Sequence, residues 1–277
     1  GIVMNLMKLK EKNMCTSFKH QKKFFEMKDK TILWLKKYGK TSLLYEKPKS
    51  NFAIAINDKY AYRHIFKNGG TTVMAQVNDN RGHVDKDNLE GRKLFAAVRD
   101  PIDHFLSGWA ECGSRLPNVE ENPAYAPSAE INSRIQNFLH LLKSCTELNR
   151  IRKEDDKCIC VNHAFPQANF LYDDETKVFH TSLDLVGDLG DLAQLMEVAR
   201  FKYDYSVPRA RSATKNRSKK GFPKDITLLS DETTKKLCRY LTLDYYLLDF
   251  EPPEVCRDQI SSDIKMIRDM PLVSSTT

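Results

Sequence analysis

The chain has 277 residues, of which 41% are hydrophobic and 29% are charged, and these values are ordinary for a soluble globular protein with a core of its own. No apolar run approaches the roughly 18 residues expected of a membrane span, and the start GIVMNLMKLKEK lacks the apolar stretch of a signal peptide. The composition therefore argues against a membrane-spanning segment within this sequence. Because the first residue is Gly rather than Met, we expect that an upstream segment is missing from it.

The net charge of +7 is unevenly distributed. Residues 1–50 hold thirteen Lys and four acidic residues, so this segment carries +9 and the rest of the chain −2. We interpret it as a solvated helical stem or extension, with a patch for a polyanion or a membrane surface as the alternative. A second basic run, at residues 209–224, has seven cations and no acid.

Strand and helix patterns alternate along the chain. Short apolar runs predict strands, and apolar residues at helical spacing predict helices. This alternation predicts an α/β fold, a single domain with a central, mainly parallel sheet flanked by helices. In chain order, we predict strands at 52–56 and 61–66, a helix ending near 77, a strand at 93–98, helices at 103–112 and 130–145, a strand within 176–186, a helix at 189–200, and a helix at 230–250 capped by Ser230.

The segment YRHIFKNGGTTV joins a predicted strand to a predicted helix through a glycine turn. Gly69 and Gly70 allow the backbone to turn tightly and to approach a ligand, so that successive N–H groups can point at phosphate oxygens. Thr71 and Thr72 add hydroxyl donors, and Lys67 adds a positive charge. A Walker A loop places its lysine after the last glycine. Here the lysine comes first, which disfavours a nucleoside-triphosphate loop.

A second pattern, FAAVRDPIDHFLSGWAE, places Arg99 at the carboxyl end of a strand and Ser107 eight residues later in a helix. In open α/β sheets, ligands bind outside the carboxyl ends of the strands. Arg99 and the glycine turn can therefore face one crevice. Two separate phosphate-binding groups in one crevice indicate a ligand with two distant phosphates.

These two patterns resemble the cofactor motifs of sulfotransferases that use 3′-phosphoadenosine 5′-phosphosulfate (PAPS). In that family the first motif holds the 5′-phosphosulfate and the second holds the 3′-phosphate. The resemblance implies a P-loop-like sulfotransferase fold, PAPS as the sulfuryl donor and no required metal. It assigns cofactor binding to Lys67, Asn68, Gly69, Gly70, Thr71, Thr72, Arg99, Ser107, Asn216 and Ser218.

Three later segments extend the resemblance over residues 58–250 and bring it closest to the Golgi carbohydrate sulfotransferases. NHAFPQANFL is similar to their H-W-x-P-Q segment, although Ala164 replaces the tryptophan. TSLDLVGDLGDLAQLM is similar to a later D-x-V-G-x-x-E-x-L segment but departs from its glutamate, and NRSKKGF is similar to their N-x-S loop. The first 50 residues resemble no family that we can name.

Sulfuryl transfer needs a group that stabilises the leaving phosphate and a base that takes the acceptor's proton. We assign the first role to Lys67 together with the backbone N–H groups of the turn. For the base we prefer His83, because its G-H-V context resembles that of the catalytic histidine of uronyl 2-O-sulfotransferases and because histidine titrates near neutral pH. Glu90 and His163 are the alternatives.

Seven cysteines allow up to three disulfides and one free thiol in an oxidising compartment, or seven reduced thiols in the cytosol. Cys158, Cys160 and His163 lie close together in the sequence and are a possible metal site, but no fourth ligand is evident. We therefore predict no metal.

The resulting hypothesis is a PAPS-dependent sulfotransferase that acts on a hydroxyl, with a glycan as the favoured acceptor and with no nucleic acid as a partner. It divides the chain into a basic stem (1–50), a catalytic domain (51–255) and a C-terminal tail (256–277). The resemblance places it in the Golgi lumen behind an unseen N-terminal anchor, with the cytoplasm as the alternative. The competing functions are a small phosphotransferase and a non-catalytic polyanion-binding protein.

Overall fold

The computed structural model describes residues 19–40, 43, 52–77, 83–85, 89, 91–115, 119–126, 128–147, 158, 160–173, 177–179, 182–207, 222 and 226–271. The strands are β1 (Phe52–Ala55), β2 (Tyr60–Arg63), β3 (His83–Asp85), β4 (Lys93–Val98), β5 (Tyr172–Asp173), β6 (Val178–Phe179) and β7 (Leu183–Asp188). The α-helices are α1 (Lys19–Lys37), α2 (Gly70–Gln76), α3 (Pro101–Arg115), α4 (Ile131–Glu147), α5 (Gln167–Leu171), α6 (Leu192–Val198), α7 (Asp231–Tyr240), α8 (Thr242–Leu247) and α9 (Glu254–Arg268).

Within the described residues, the central sheet has five strands in the order β3-β1-β2-β4-β7. The β2–β4 and β4–β7 pairs are parallel, and β1 is antiparallel to both of its neighbours. Four strands therefore run in one direction and only β1 is reversed. The predicted α/β fold, with helices around one mainly parallel sheet, is confirmed at this level.

Helices cover both faces of the sheet. In β4, Leu94, Ala96 and Val98 belong to one core cluster and Phe95 and Ala97 to another. Successive side chains of a strand point to opposite faces, so a strand that is apolar at every position lies at the centre of the sheet. The smaller cluster is completed by α2 and α6, and the larger one by the remaining long helices.

Helix α1 packs its apolar side into the larger core, although it comes from the lysine-rich start of the chain. Phe24, Met27, Trp34 and Leu35 are buried, and the helix contacts β7, α8 and α9. It therefore belongs to the same packed unit as the sheet. Of the described helices, none combines the length and the apolarity needed to span a membrane.

Two predicted elements are divided in the structure. The predicted strand within 176–186 becomes β6 and β7. The predicted helix at 230–250 begins as expected, with the Ser230 hydroxyl accepting a hydrogen bond from Thr233 N, but it breaks at Leu241 into α7 and α8. All six residues of α8 are buried, whereas a continuous amphipathic helix would turn part of this segment to solvent.

The predicted strand at 61–66 is also shorter in the structure. Strand β2 ends at Arg63, and the chain then turns through residues 66–69. Lys67 in this turn has a φ of 64°, in the left-handed region that no strand uses.

The neighbouring residues Phe24 and Phe25 test whether α1 is part of the core. Phe24 is fully buried and Phe25 is 37% exposed. We expect Phe24→Ala to lower the free energy of unfolding by about 3 to 5 kcal/mol, because it leaves a cavity in the core. The matched Phe25→Ala change should alter it by less than about 0.5 to 1 kcal/mol. Urea unfolding of the two variants measures both values, and equal losses would show that α1 is not anchored as described.

Candidate functional site

The glycine turn lies between β2 and α2 and depends on close backbone packing. Gly69 has a φ of 91°, which glycine adopts without strain. A β-carbon at Gly69 would lie 2.8 Å from Leu192 Cδ2, and one at Gly70 would lie 2.1 Å from His64 Nε2. Gly69 is therefore needed for both conformation and space, and Gly70 for space alone. The first N–H groups of α2 have no acceptor within the helix and are available to an anion.

The second loop lies between β4 and α3. Asp100 caps α3, because its Oδ1 accepts hydrogen bonds from Ile102 N at 3.0 Å and from Asp103 N at 2.9 Å. Arg99 Nη2 lies 3.5 Å from Asp103 Oδ2, and the Asp103 side chain is 55% exposed. Ion pairs this exposed contribute little, so the guanidinium remains available to a stronger anion. Ser107 lies one turn beyond Asp103 on the same face of α3.

The two loops meet at one edge of the sheet. Strands β2 and β4 are parallel neighbours, so the turns that follow them emerge side by side. Asn68 lies in the glycine turn, and its Nδ2 donates hydrogen bonds to the Ala97 carbonyl oxygen at 3.0 Å and to Gln167 Oε1 at 2.6 Å. The same Gln167 amide bonds to the backbone N–H and carbonyl of Arg99, at 2.9 and 2.8 Å. One buried amide thus links the glycine turn to the arginine loop.

Gln167 is itself held by Asp244 of α8. The carboxylate accepts hydrogen bonds from Gln167 N at 3.0 Å, from Gln167 Nε2 at 3.3 Å and from Ala168 N at 2.8 Å. Burial raises the pKa of Asp244 to about 6, although these bonds act in the opposite direction. The break at Leu241 is what turns Asp244 inward, so the division of the predicted helix has a structural consequence at the site.

His104 supports the same turn from α3. Its Nδ1 lies 3.1 Å from Asn68 Oδ1 and its Nε2 lies 3.0 Å from the Phe165 carbonyl oxygen. Burial, followed by the positive charge of Arg99, lowers the pKa of His104 to about 3. The imidazole is therefore neutral at ordinary pH and donates only one of these two hydrogen bonds.

Lys67 leaves the turn towards α3, where its Nζ lies 3.2 Å from Glu111 Oε2. Arg115 donates to the other oxygen of the same carboxylate at 2.5 Å. Burial raises the pKa of Glu111, but the charge of Lys67 and the hydrogen bonds from Arg115 and Lys67 outweigh it, so the pKa lies below its usual value. Glu111 is therefore ionised and positions the Lys67 ammonium.

Most residues predicted to bind the cofactor fall in these two loops. The structure brings the segment from Lys67 to Thr72 next to the loop that carries Arg99, with Ser107 on the adjoining helix. Asn216 and Ser218 lie outside the described residues. Asn68 is fully buried, and its side chain ties the loops together.

The three candidate bases have different positions. His83 lies in edge strand β3, level with Ile54 of β1 and hence with Tyr62 of β2. Two strand spacings separate its backbone from β2, which is about 10 Å. Glu90 lies outside the described residues. His163 is buried, with its ring centroid 4.3 Å from that of Phe66 and its Nδ1 3.0 Å from the Cys160 carbonyl oxygen.

Side chains of this site that were not predicted from the sequence include Glu111, His64, His104, Gln167 and Asp244. Gln167 lies in the quoted NHAFPQ segment and His64 in the glycine-turn motif, so a signal was present for both. The inward direction of His104 and Asp244 could not be read from the sequence, because each is a polar residue in an amphipathic helix pattern.

In the sequence, Cys158, Cys160 and His163 are a possible metal site, although we predict no metal, and the structure excludes Cys158 from such a site. Cys158 forms a disulfide with Cys145, and Cys238 forms a second one with Cys256. Cys112 and Cys160 are free, and Cys112 takes the place of Cys158 beside His163. The disulfide with Cys145 removes Cys158 from any ligand set.

Comparison of the chain with protein-family models, with curated proteins and with solved structures finds no match.

The role of Gln167 can be tested against a second glutamine. Gln167→Ala should lower the free energy of unfolding by at least about 2 kcal/mol, because it leaves several buried polar groups without partners. Gln136 is only partly buried and bonds to Thr233 and Lys236, so Gln136→Ala should cost less than about 1 kcal/mol. Chemical denaturation gives both values, and similar losses would contradict a central role for the Gln167 amide.

Proposed function

We propose that this protein is a sulfotransferase that moves a sulfuryl group from PAPS to a hydroxyl, with a glycan as the favoured acceptor. The observation that carries the proposal is the link from Asn68 through Gln167 to Arg99, which holds the glycine turn and the arginine loop side by side. A ligand with phosphates at both ends of an adenosine suits two adjacent anion-binding loops. We assign PAPS as that ligand because the sequence motifs of the two loops resemble the cofactor motifs of sulfotransferases.

The chemical fit rests on the charges at the two loops. Lys67 and Arg99 each face a carboxylate of α3, Glu111 and Asp103 respectively. Phosphate oxygens would compete for both cations, and a planar guanidinium can bind two of them at once. The backbone N–H groups at the start of α2 add donors without adding charge.

In the proposed reaction, the bond between sulfur and the bridging oxygen of PAPS breaks while a bond from the acceptor oxygen to sulfur forms. Lys67 and the turn amides stabilise the negative charge that builds on the bridging oxygen. Arg99 and Ser107 hold the 3′-phosphate, together with Asn216 and Ser218. The acceptor hydroxyl loses its proton to His83, and adenosine 3′,5′-bisphosphate leaves.

The same proposal places the protein in the Golgi lumen. The two disulfides, Cys145–Cys158 and Cys238–Cys256, support an oxidising compartment. A polyanion-binding protein without catalysis is the second candidate, because Lys22, Lys36 and Lys37 are exposed along α1. It predicts heparin binding without sulfate transfer.

Donor binding is the first test. Lys67→Ala and Arg99→Ala should each weaken adenosine 3′,5′-bisphosphate binding by about tenfold or more, since a hydrogen bond to a charged group contributes about 1.5 to 3 kcal/mol. The exposed residues Lys59 and Arg239 provide matched controls, and their Ala variants should bind normally. Calorimetry measures the affinities.

Transfer of radiolabelled sulfate to a panel of desulfated glycosaminoglycans and small alcohols then identifies the acceptor. Normal binding by both Lys67→Ala and Arg99→Ala would contradict the shared nucleotide site. Tight binding by the wild type without transfer to any member of the panel would favour the non-catalytic alternative.

The base assignment has its own test. His83→Ala should lower turnover by about 10² to 10⁴, the usual contribution of general base catalysis, while leaving bisphosphate affinity unchanged. His140 is an exposed histidine on α4, so His140→Ala is the control. Near-normal turnover of His83→Ala would remove the assignment, and Glu90→Gln would then be assayed in the same way.

A further inference from the structure

A cluster of three potential metal ligands lies where α3 meets the 3₁₀ turn Val161–Ala164. Cys112 on α3 and Cys160 and His163 around the 3₁₀ turn Val161–Ala164 place two sulfur atoms and one ring nitrogen within 4.8 Å of one another. All three residues are buried. The cluster takes no part in the proposed sulfuryl transfer.

We propose that Cys112, Cys160 and His163 bind a thiophilic divalent cation, with Zn²⁺ as the natural ion. The distance from Cys160 Sγ to His163 Nδ1 is 3.6 Å. Tetrahedral zinc with its usual bond lengths separates a sulfur and a nitrogen ligand by about 3.5 Å. The separation between the Cys160 sulfur and the His163 nitrogen is therefore already that of a zinc site. Small side-chain rotations can bring the Cys112 sulfur to the same ion.

The charge of the cluster suits its burial. Two thiolates and a neutral imidazole around one divalent cation sum to zero, so the loaded site carries no net charge into the core. Two thiolates and an imidazole are also the donor atoms that zinc favours over calcium or magnesium. The fourth position is left to an exogenous ligand such as water.

Tyr125 supplies a second, independent observation. Its hydroxyl is fully buried, and within the described part of the chain it has no hydrogen-bond partner. Its ring lies against the residue that follows Cys112, because a β-carbon at Gly113 would lie 2.9 Å from Tyr125 Cδ1. An unpaired O–H donor requires an acceptor, and a metal-bound thiolate is one.

The backbone beneath the cluster is already closely packed. A β-carbon at Gly108 would lie 2.2 Å from the His163 carbonyl oxygen, so α3 and the 3₁₀ turn touch through their backbones. The ligands are therefore carried by two elements whose separation is fixed. Cys112 also donates to the Cys160 carbonyl oxygen at 2.6 Å, and loss of the thiol proton on metal binding would free its sulfur from that bond.

The test uses the full chain, stripped with a chelator and titrated with Co²⁺ as a spectroscopic substitute for Zn²⁺. We expect one equivalent to bind with thiolate-to-cobalt charge-transfer absorption, and Zn²⁺ to displace it. Cys112→Ser, Cys160→Ser and His163→Ala should each weaken Co²⁺ binding by more than about tenfold, the smallest loss usual even for a residue that only supports a ligand. Cys15→Ser and His140→Ala are the controls and should bind as the wild type does.

Two further measurements do not depend on the folding of those variants. Tyr125→Phe keeps all three ligands and should weaken Co²⁺ binding by about tenfold. In the wild type, Zn²⁺ should slow alkylation of Cys112 and Cys160. The proposal is overturned if the wild type shows no charge-transfer band, if Zn²⁺ leaves alkylation unchanged, or if peptide mapping finds a disulfide between Cys112 and Cys160.

Discussion

The side-chain amide of Gln167 determines the spacing of the two loops that form the candidate site. Its oxygen accepts hydrogen bonds from Asn68 Nδ2 and Arg99 N, and its nitrogen donates to the Arg99 carbonyl oxygen and to Asp244. Both donors and both lone pairs of the amide are therefore used. A buried network in which every group is paired is rigid, so the glycine turn cannot move away from the arginine loop without breaking it.

This rigidity has an electrostatic cost at Asp244. Desolvation raises the pKa of the buried carboxyl to about 6, so its ionised form is less stable here than in water. Since the folded-state pKa lies above the usual value, the contribution of Asp244 to stability is largest at acidic pH and is lost as the pH rises through about 6. An apolar residue would avoid this cost but could not orient Gln167. The ionised Asp244 therefore lowers stability, but it orients Gln167 and so fixes the geometry of the two loops.

Local patterns were sufficient to predict the elements that carry the site, and insufficient to predict what joins them. The continuous apolar run in KLFAAV and the strand, glycine turn and helix of YRHIFKNGGTTV are short-range signals, and β4, β2 and α2 follow them. The break at Leu241 and the replacement of Cys158 by Cys112 are not short-range. Each depends on a pairing outside its own local pattern, with Gln167 for Asp244 and with Cys145 for Cys158, and periodicity contains no information about such pairs.

Helix α3 connects the candidate anion site to the proposed metal site. Glu111 contacts Lys67 of the glycine turn, whereas Gly108 and Cys112 face the 3₁₀ turn that carries His163. A one-residue step on a helix is a rotation of about 100°, so the two sets of side chains point to different neighbours. A cation bound at Cys112 would fix one face of α3, while Lys67 and Arg99 would bind the anion at a different face of the helix. The two sites therefore share a rigid element but no ligand, which allows either one to exist without the other.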